Sequence, residues 1–123
     1  MKDEVKMGKL TTHVLDTSKG KPGSEIEVTL FRVSGHSLEH VVTTMTNLDG
    51  RTDEPLLEGT NFLKGKYQLQ FNTAGYFHKT GVTLSDIPFL DDVVIRFGID
   101  NPSAHFHVPL LVSPYSFSTY RGS

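Results

Sequence analysis

The chain has 123 residues, the length of one domain, and its 37% apolar and 21% charged residues suit a globular protein rather than a disordered one. A net charge of -2 leaves no surplus of Lys and Arg to neutralise phosphates, so no nucleic-acid partner is expected. Zero cysteines exclude disulfides and a cysteine nucleophile, and neither a leader-like apolar segment nor a run long enough to span a bilayer is present, so no membrane partner is expected and the cytoplasm is the expected location.

Short alternating runs separated by turn residues then follow one another, the pattern of an antiparallel all-β domain. The first, "GKLTTHVLD", sets Leu10, Thr12 and Val14 on one side of a strand and Thr11, His13 and Leu15 on the other. In "SEIEVTLFRV", Ile26, Val28 and Leu30 oppose Glu25, Glu27 and Thr29, which makes a strand with one wet face. "HVVTTMTN" is a third strand, and the Asp-Gly turn of "NLDGRTD" presents Arg51 at a strand end. In "EGTNFLKG", Thr60 is placed to cap a brief helix that Gly65 ends, just before the strand "KYQLQFN". That strand sets Tyr67, Leu69 and Phe71 against Lys66, Gln68, Gln70 and Asn72. "DVVIRFGI", "HFHVPLLVS" and "YSFSTYRGS" supply the remaining strands. A two-sheet β-sandwich is the natural cover for so many one-sided strands, and no linker or internal repeat divides it.

Chemistry must come from His, Arg, Ser, Tyr and carboxylates. Among six histidines the informative pair is in "HFHVPLLV", where His105 and His107 point to one face and Phe106, Val108, Leu110 and Val112 to the other, apolar enough to be the core. The histidines therefore face solvent, a subunit interface or a site, and Pro109 and Leu111 beside them favour an interface. Two histidines at alternate strand positions can reach one zinc with His13 as a third ligand, but with no cysteine and no "HExxH" the expectation is no metal. Taken alone, His13 reads as a surface histidine and Arg51 as a solvated arginine. The Asp49 to Asp53 spacing lacks the glutamate that closes a calcium loop. No serine lies in "GxSxG", so a water nucleophile is easier to build, with histidine as base and arginine beside a developing oxyanion. Chain ends usually fray, yet "YSFSTYRGS" alternates Tyr115, Phe117, Thr119 and Arg121 with Ser116, Ser118, Tyr120 and Gly122, as a paired strand does.

The segments "KLTTHVLDTSKGKPG", "NLDGRTDEPLL", "FLDDVVIRFGI" and "HFHVPLLVSPYSFSTYRGS" closely resemble the transthyretin-like 5-hydroxyisourate hydrolases of purine catabolism. The likeness covers residues 9–123, read as a single domain after a short extension of residues 1–8, and its most specific element is the closing "YRGS". The resemblance implies a transthyretin-like two-sheet β-sandwich with one short helix, assembled as a homotetramer, a dimer of dimers, with sites lining a central channel. It implies hydrolysis of the ring amide of 5-hydroxyisourate to 2-oxo-4-hydroxy-4-carboxy-5-ureidoimidazoline in urate degradation, with no metal or organic cofactor. The residues it assigns to catalysis are His13, Arg51 and His107, with substrate bound by His13, Arg51, Tyr120, His105, Arg121 and Ser123. In the implied mechanism His107, alone or with His13, activates the water and Arg51 holds the oxyanion. A transthyretin-type carrier of a small aromatic ligand is the competing expectation, one that calls for apolar or small residues at positions 13, 107 and 120.

Overall fold

The computed structural model describes residues 7–122, and the expected roles of Ser123 and of residues 1–6 in the short extension lie outside the described residues. Nine strands among them form two sheets. In the first, β1 (Lys9–Asp16) lies between β2 (Lys21–Pro22) and β8 (His105–Ser113), β8 carries β9 (Ser116–Thr119) at the edge, and β5 (Leu57–Glu58) pairs with the start of β1. The second sheet runs β4 (Ser37–Met45), β3 (Glu27–Ser34), β6 (Gly65–Phe71), β7 (Val93–Ile99). Of the ladders, β1 with β8 is parallel and the rest are antiparallel.

The alternation in the sequence becomes the layering. Leu10, Val14, Phe106, Val108, Leu110 and Val112 from the first sheet meet Val28, Leu30, Tyr67, Leu69, Phe71, Val93 and Ile95 from the second in one buried cluster. Burying each such side chain contributes about 1.5–3 kcal/mol, so a one-residue register slip that turned either face outward is strongly disfavoured. One expected wet position is covered: Gln68 is buried because Arg96, its cross-strand partner, donates from Nε to its Oε1 at 3.0 Å.

The helix lies elsewhere than expected. "EGTNFLKG" forms a single 3₁₀ turn, Gly59–Asn61, entered from Glu58 without a side-chain cap, and Thr60 caps nothing. Gly59 at φ 65 opens the turn, the extended backbone of Phe62 ends it, and Gly65 already starts β6. The one α-helix among the described residues, α1 (Thr73–Lys79), follows β6. Asn72 caps it by accepting the Gly75 N–H at 3.1 Å, while Tyr76 and Phe77 turn into the core. No helix among the described residues is long and apolar enough to cross a membrane.

Helix α1 is tied to the far end of β1 by a buried polar pair. Asp16 is fully buried and accepts the Tyr76 hydroxyl at 2.7 Å and the Ser18 hydroxyl at 2.6 Å, with Lys19 Nζ at 3.8 Å. Burial acts to raise the Asp16 pKa, but the hydrogen bonds from Ser18 and Tyr76 outweigh it and hold the carboxyl below its ordinary range. Its contribution to stability is therefore present above the unfolded carboxylate pKa and lost as pH falls through the lower folded one. Tyr76→Phe leaves Asp16 buried with one partner fewer, and is expected to cost about 1–3 kcal/mol in urea unfolding at fixed protein concentration. An unchanged midpoint would show that the pair adds nothing.

Candidate active site

The site is assembled on β1 by three segments distant in sequence. Strand β8 lies parallel to β1 with His107 opposite Thr11 and Pro109 opposite His13, which puts the odd-numbered residues of both strands on the face away from the core. His105 is exposed and His107 half-buried on that face. The Thr11 hydroxyl sits between them, 2.8 Å from His105 Nε2 and 2.8 Å from His107 Nδ1. The rings of His105 and His107 are centred 6.2 Å apart, and His13 stands on the other side of His107 at 6.4 Å.

Arg51 arrives on the "NLDGR" turn. Asn47 Oδ1 accepts from the backbone N–H of Asp49 at 2.9 Å and of Arg51 at 3.2 Å, and Gly50 closes the turn at φ 76. Only glycine fits there: a Cβ at position 50 would lie 2.4 Å from the Val14 carbonyl oxygen. The Gly50 carbonyl accepts the Val14 N–H at 2.8 Å, so the turn locks against β1 and leaves Arg51 bridged to His13. Arg51, Thr52 and Pro55 thereby face Lys9, His105 and His107 across a cavity of about 380 Å³, with His13 adjoining it.

The closing segment behaves as two halves. Gly122 returns to β8, donating its N–H to the His107 carbonyl at 2.6 Å, and a Cβ there would lie 2.9 Å from His107 Cδ2. Tyr120, 62% exposed, and Arg121 line a separate slot of about 230 Å³ at the open edge of the sandwich, between β7 and β9. The Arg121 guanidinium lies 4.0 Å from the centre of the Phe106 ring, on the opposite face of the sheet from the histidines. Within one chain the structure thus gathers His13, Arg51, His105 and His107 and sets Tyr120 and Arg121 apart. Thr11 is the member that sequence reasoning did not single out. Its place on the His13 face was legible, but the parallel register that brings it to His105 and His107 was not.

The electrostatics favour neutral imidazoles. Burial lowers the His107 pKa, and the positive charge of Arg51, then His105 and His13, act in the same direction. Burial and Arg51 likewise lower that of His13 against the opposing pull of Asp49, and burial and Lys9 lower that of His105. A neutral imidazole near pH 7 has a free lone pair to take a proton, and a fixed guanidinium is suited to a developing oxygen anion.

The profile of the HIUase/Transthyretin family matches residues 10–122. The chain belongs to that family. A relative from Pseudomonas aeruginosa, "5-hydroxyisourate hydrolase", is 56% identical over 95% of this chain and 93% of its own length. Among solved structures of the family's fold, the Klebsiella pneumoniae 5-hydroxyisourate hydrolase superposes with a TM-score of 0.78 at 33% identity, covering 95% of this chain and 100% of that one. The crystal structure of (S)-allantoin synthase superposes with a TM-score of 0.91 at 47% identity, covering 98% of this chain but 46% of that one, so this chain spans about half of that protein's length.

If Arg51 holds the neighbouring histidines neutral, removing its charge should let them protonate more readily. Arg51→Gln is expected to raise the pKa of both His107 and His13, read from the pH dependence of their ring resonances by NMR. Unmoved titration midpoints would mean that the guanidinium is screened from the rings.

Proposed function

We propose that this chain is a hydrolase that opens the ring amide of 5-hydroxyisourate to give 2-oxo-4-hydroxy-4-carboxy-5-ureidoimidazoline. The observation that carries the reading is the convergence of His105, His107 and Arg51 on one cavity, with His13 adjoining it, in a chain 56% identical to a curated hydrolase of that substrate. The polar lining speaks against a carrier of an apolar ligand. His107, with His13 beside it, takes a proton from a water that attacks the ring carbonyl. Arg51 stabilises the tetrahedral oxyanion, and the protonated imidazole returns its proton to the leaving ring nitrogen.

Assembly as a homotetramer belongs to the same reading. Phe89, at 72% exposed, and Tyr115, Val94 and Phe117, also exposed, cluster at the β7 and β9 edges, where a single chain leaves unpaired backbone and apolar surface in water. A second copy paired along these edges covers that surface. It also encloses Tyr120 and Arg121, whose part in substrate binding, with Ser123, is assigned to the assembled state. Zero cysteines fit the reducing cytoplasm as the setting.

His107→Ala and His13→Ala are each expected to lower turnover of freshly prepared 5-hydroxyisourate by at least about tenfold, the low side of what a positioned base contributes. Arg51→Lys should fail similarly, because lysine keeps the charge but loses the planar fork that holds two acceptor oxygens. Near-wild-type turnover in any folded variant removes that residue from the mechanism.

Metal is not required in this scheme. Thr11 occupies His105 Nε2 and His107 Nδ1, two nitrogens that a shared ion would compete for, and no three His, Asp or Glu side chains converge as a ligand group among the described residues. Dialysis against a strong chelator should leave turnover unchanged, whereas loss of activity restored by zinc would turn the histidines into a ligand set.

A further inference from the structure

The polar contacts of the histidine pair are more specific than base catalysis requires. A hydroxyl has one proton to donate, so Thr11 cannot donate to both imidazoles: when it donates to one, the other must donate to it. The tautomers of His105 and His107 are therefore linked through a single oxygen. For His107 to offer an unprotonated Nε2 to water, its Nδ1 must carry the proton and donate to Thr11 Oγ1. Thr11 then donates to His105 Nε2, whose own proton sits on Nδ1. His107 Nε2 has no hydrogen-bond partner among the described residues, which leaves it open to water in this arrangement.

Burial gives the chain of groups a direction. His107 is half-buried, whereas His105, on the same cavity wall, is exposed, so the path from His107 through Thr11 to His105 runs toward the ring that is more open to solvent. We propose that Thr11 is a positioning residue that fixes the reactive tautomer of His107 and passes its proton to His105, making the strand pair β1 and β8 a proton path between the site and bulk water. The inference rests on the hydrolase reading above. When His107 Nε2 takes a proton from the attacking water, the Nδ1 proton moves to Thr11 Oγ1, and the Thr11 proton moves to His105 Nε2. His107 is then neutral in its other tautomer, and the positive charge lies on His105 at the surface. Reversal of the same steps returns a proton to the leaving nitrogen. The charged and titratable groups facing these rings are Lys9, His13, Arg51, Asp53 and Glu54, and the cations nearest the pair, Arg51 and Lys9, act with burial to keep both imidazoles neutral before the reaction.

The test uses the full-length protein with Thr11→Val, which keeps the shape and removes the hydroxyl, Thr11→Ser, which keeps the hydroxyl, and His105→Gln. Ring ¹⁵N shifts give the tautomer of His107 directly and without substrate. In the wild type they should report a protonated Nδ1, and in Thr11→Val a shift toward the Nε2–H form that free imidazole prefers. In the assay, Thr11→Val and His105→Gln should lose about tenfold or more in kcat with KM nearly constant. In both, turnover should become dependent on imidazole buffer concentration as an external carrier replaces the lost path, and Thr11→Ser should recover turnover. A merely structural threonine moves none of the tautomer, the buffer dependence or the serine rescue together. An unchanged His107 tautomer in Thr11→Val overturns the inference whatever the substrate proves to be, and so does wild-type, buffer-independent turnover in that variant. If the wild type fails to turn over 5-hydroxyisourate, the hydrolase reading fails by itself, and the tautomer measurement still decides the role of Thr11.

Discussion

The register of β8 against β1 is the constraint on which both the core and the site depend, because the same nine residues of β8 serve two faces. Phe106, Val108, Leu110 and Val112 close the sandwich, and His105 and His107, interleaved with them, line the cavity. A slip by one residue would exchange the two sets, burying imidazoles without partners and exposing four core side chains. Hydrophobic burial, the largest favourable term in folding, therefore also sets the site geometry. The pleat sends both histidines to the outer face once the core is packed, and the Thr11 hydroxyl then holds their rings.

Strand β1 carries a different polar arrangement at each end. Near Asp16 the logic is that of a structural anchor: a fully buried carboxylate surrounded by donors, its ionised form favoured, tying helix α1 to the sheet. Near Thr11 the charges are arranged to the opposite end, with positive groups beside imidazoles that gain nothing from being charged. The first arrangement satisfies every partner and belongs to stability. The second leaves imidazoles and a guanidinium facing an open cavity, the kind of setting in which shifted pKa values mark candidate functional groups. Between the two ends, the Gly50 turn brings Arg51 to the sheet without a strand of its own, so one left-handed residue adds the positive charge.

What could be read from the sequence follows period and what could not follows distance along the chain. The strands of "SEIEVTLFRV", "KYQLQFN" and "HFHVPLLVS" announce themselves because alternation is local, and the outward face of His105 and His107 comes with it. The sequence points to "EGTNFLKG" for the helix because that segment carries better cap and stop residues than "NTAGYFHK", where a glycine and two aromatics conceal a helix stabilised by burial of Tyr76 and Phe77. The family likeness supplied Arg51 and His13 as site residues, which their local contexts alone did not. Thr11 escaped because its importance lies in pairing with β8, and alternation within one strand says nothing about which strand lies beside it or in which direction. The position of Arg121 over Phe106 follows from the same cross-strand geometry, since a residue next to Gly122, itself bridged to His107, must face the other way.

The parallel ladder also bears on how the molecule is made. Thr11 and His107 are separated by 96 positions, so during synthesis β1 leaves the ribosome long before its partner exists, while β3, β4 and β6 can already pair with neighbours close in sequence. In that interval β1 has the short antiparallel pieces β2 and β5 and the Gly50 turn to cover part of its hydrogen-bonding groups. Closing so long a loop late costs entropy that only the finished core repays. The second sheet is thus the natural early scaffold, and the arrival of β8 seals the core and brings its histidines to Thr11 in the same step.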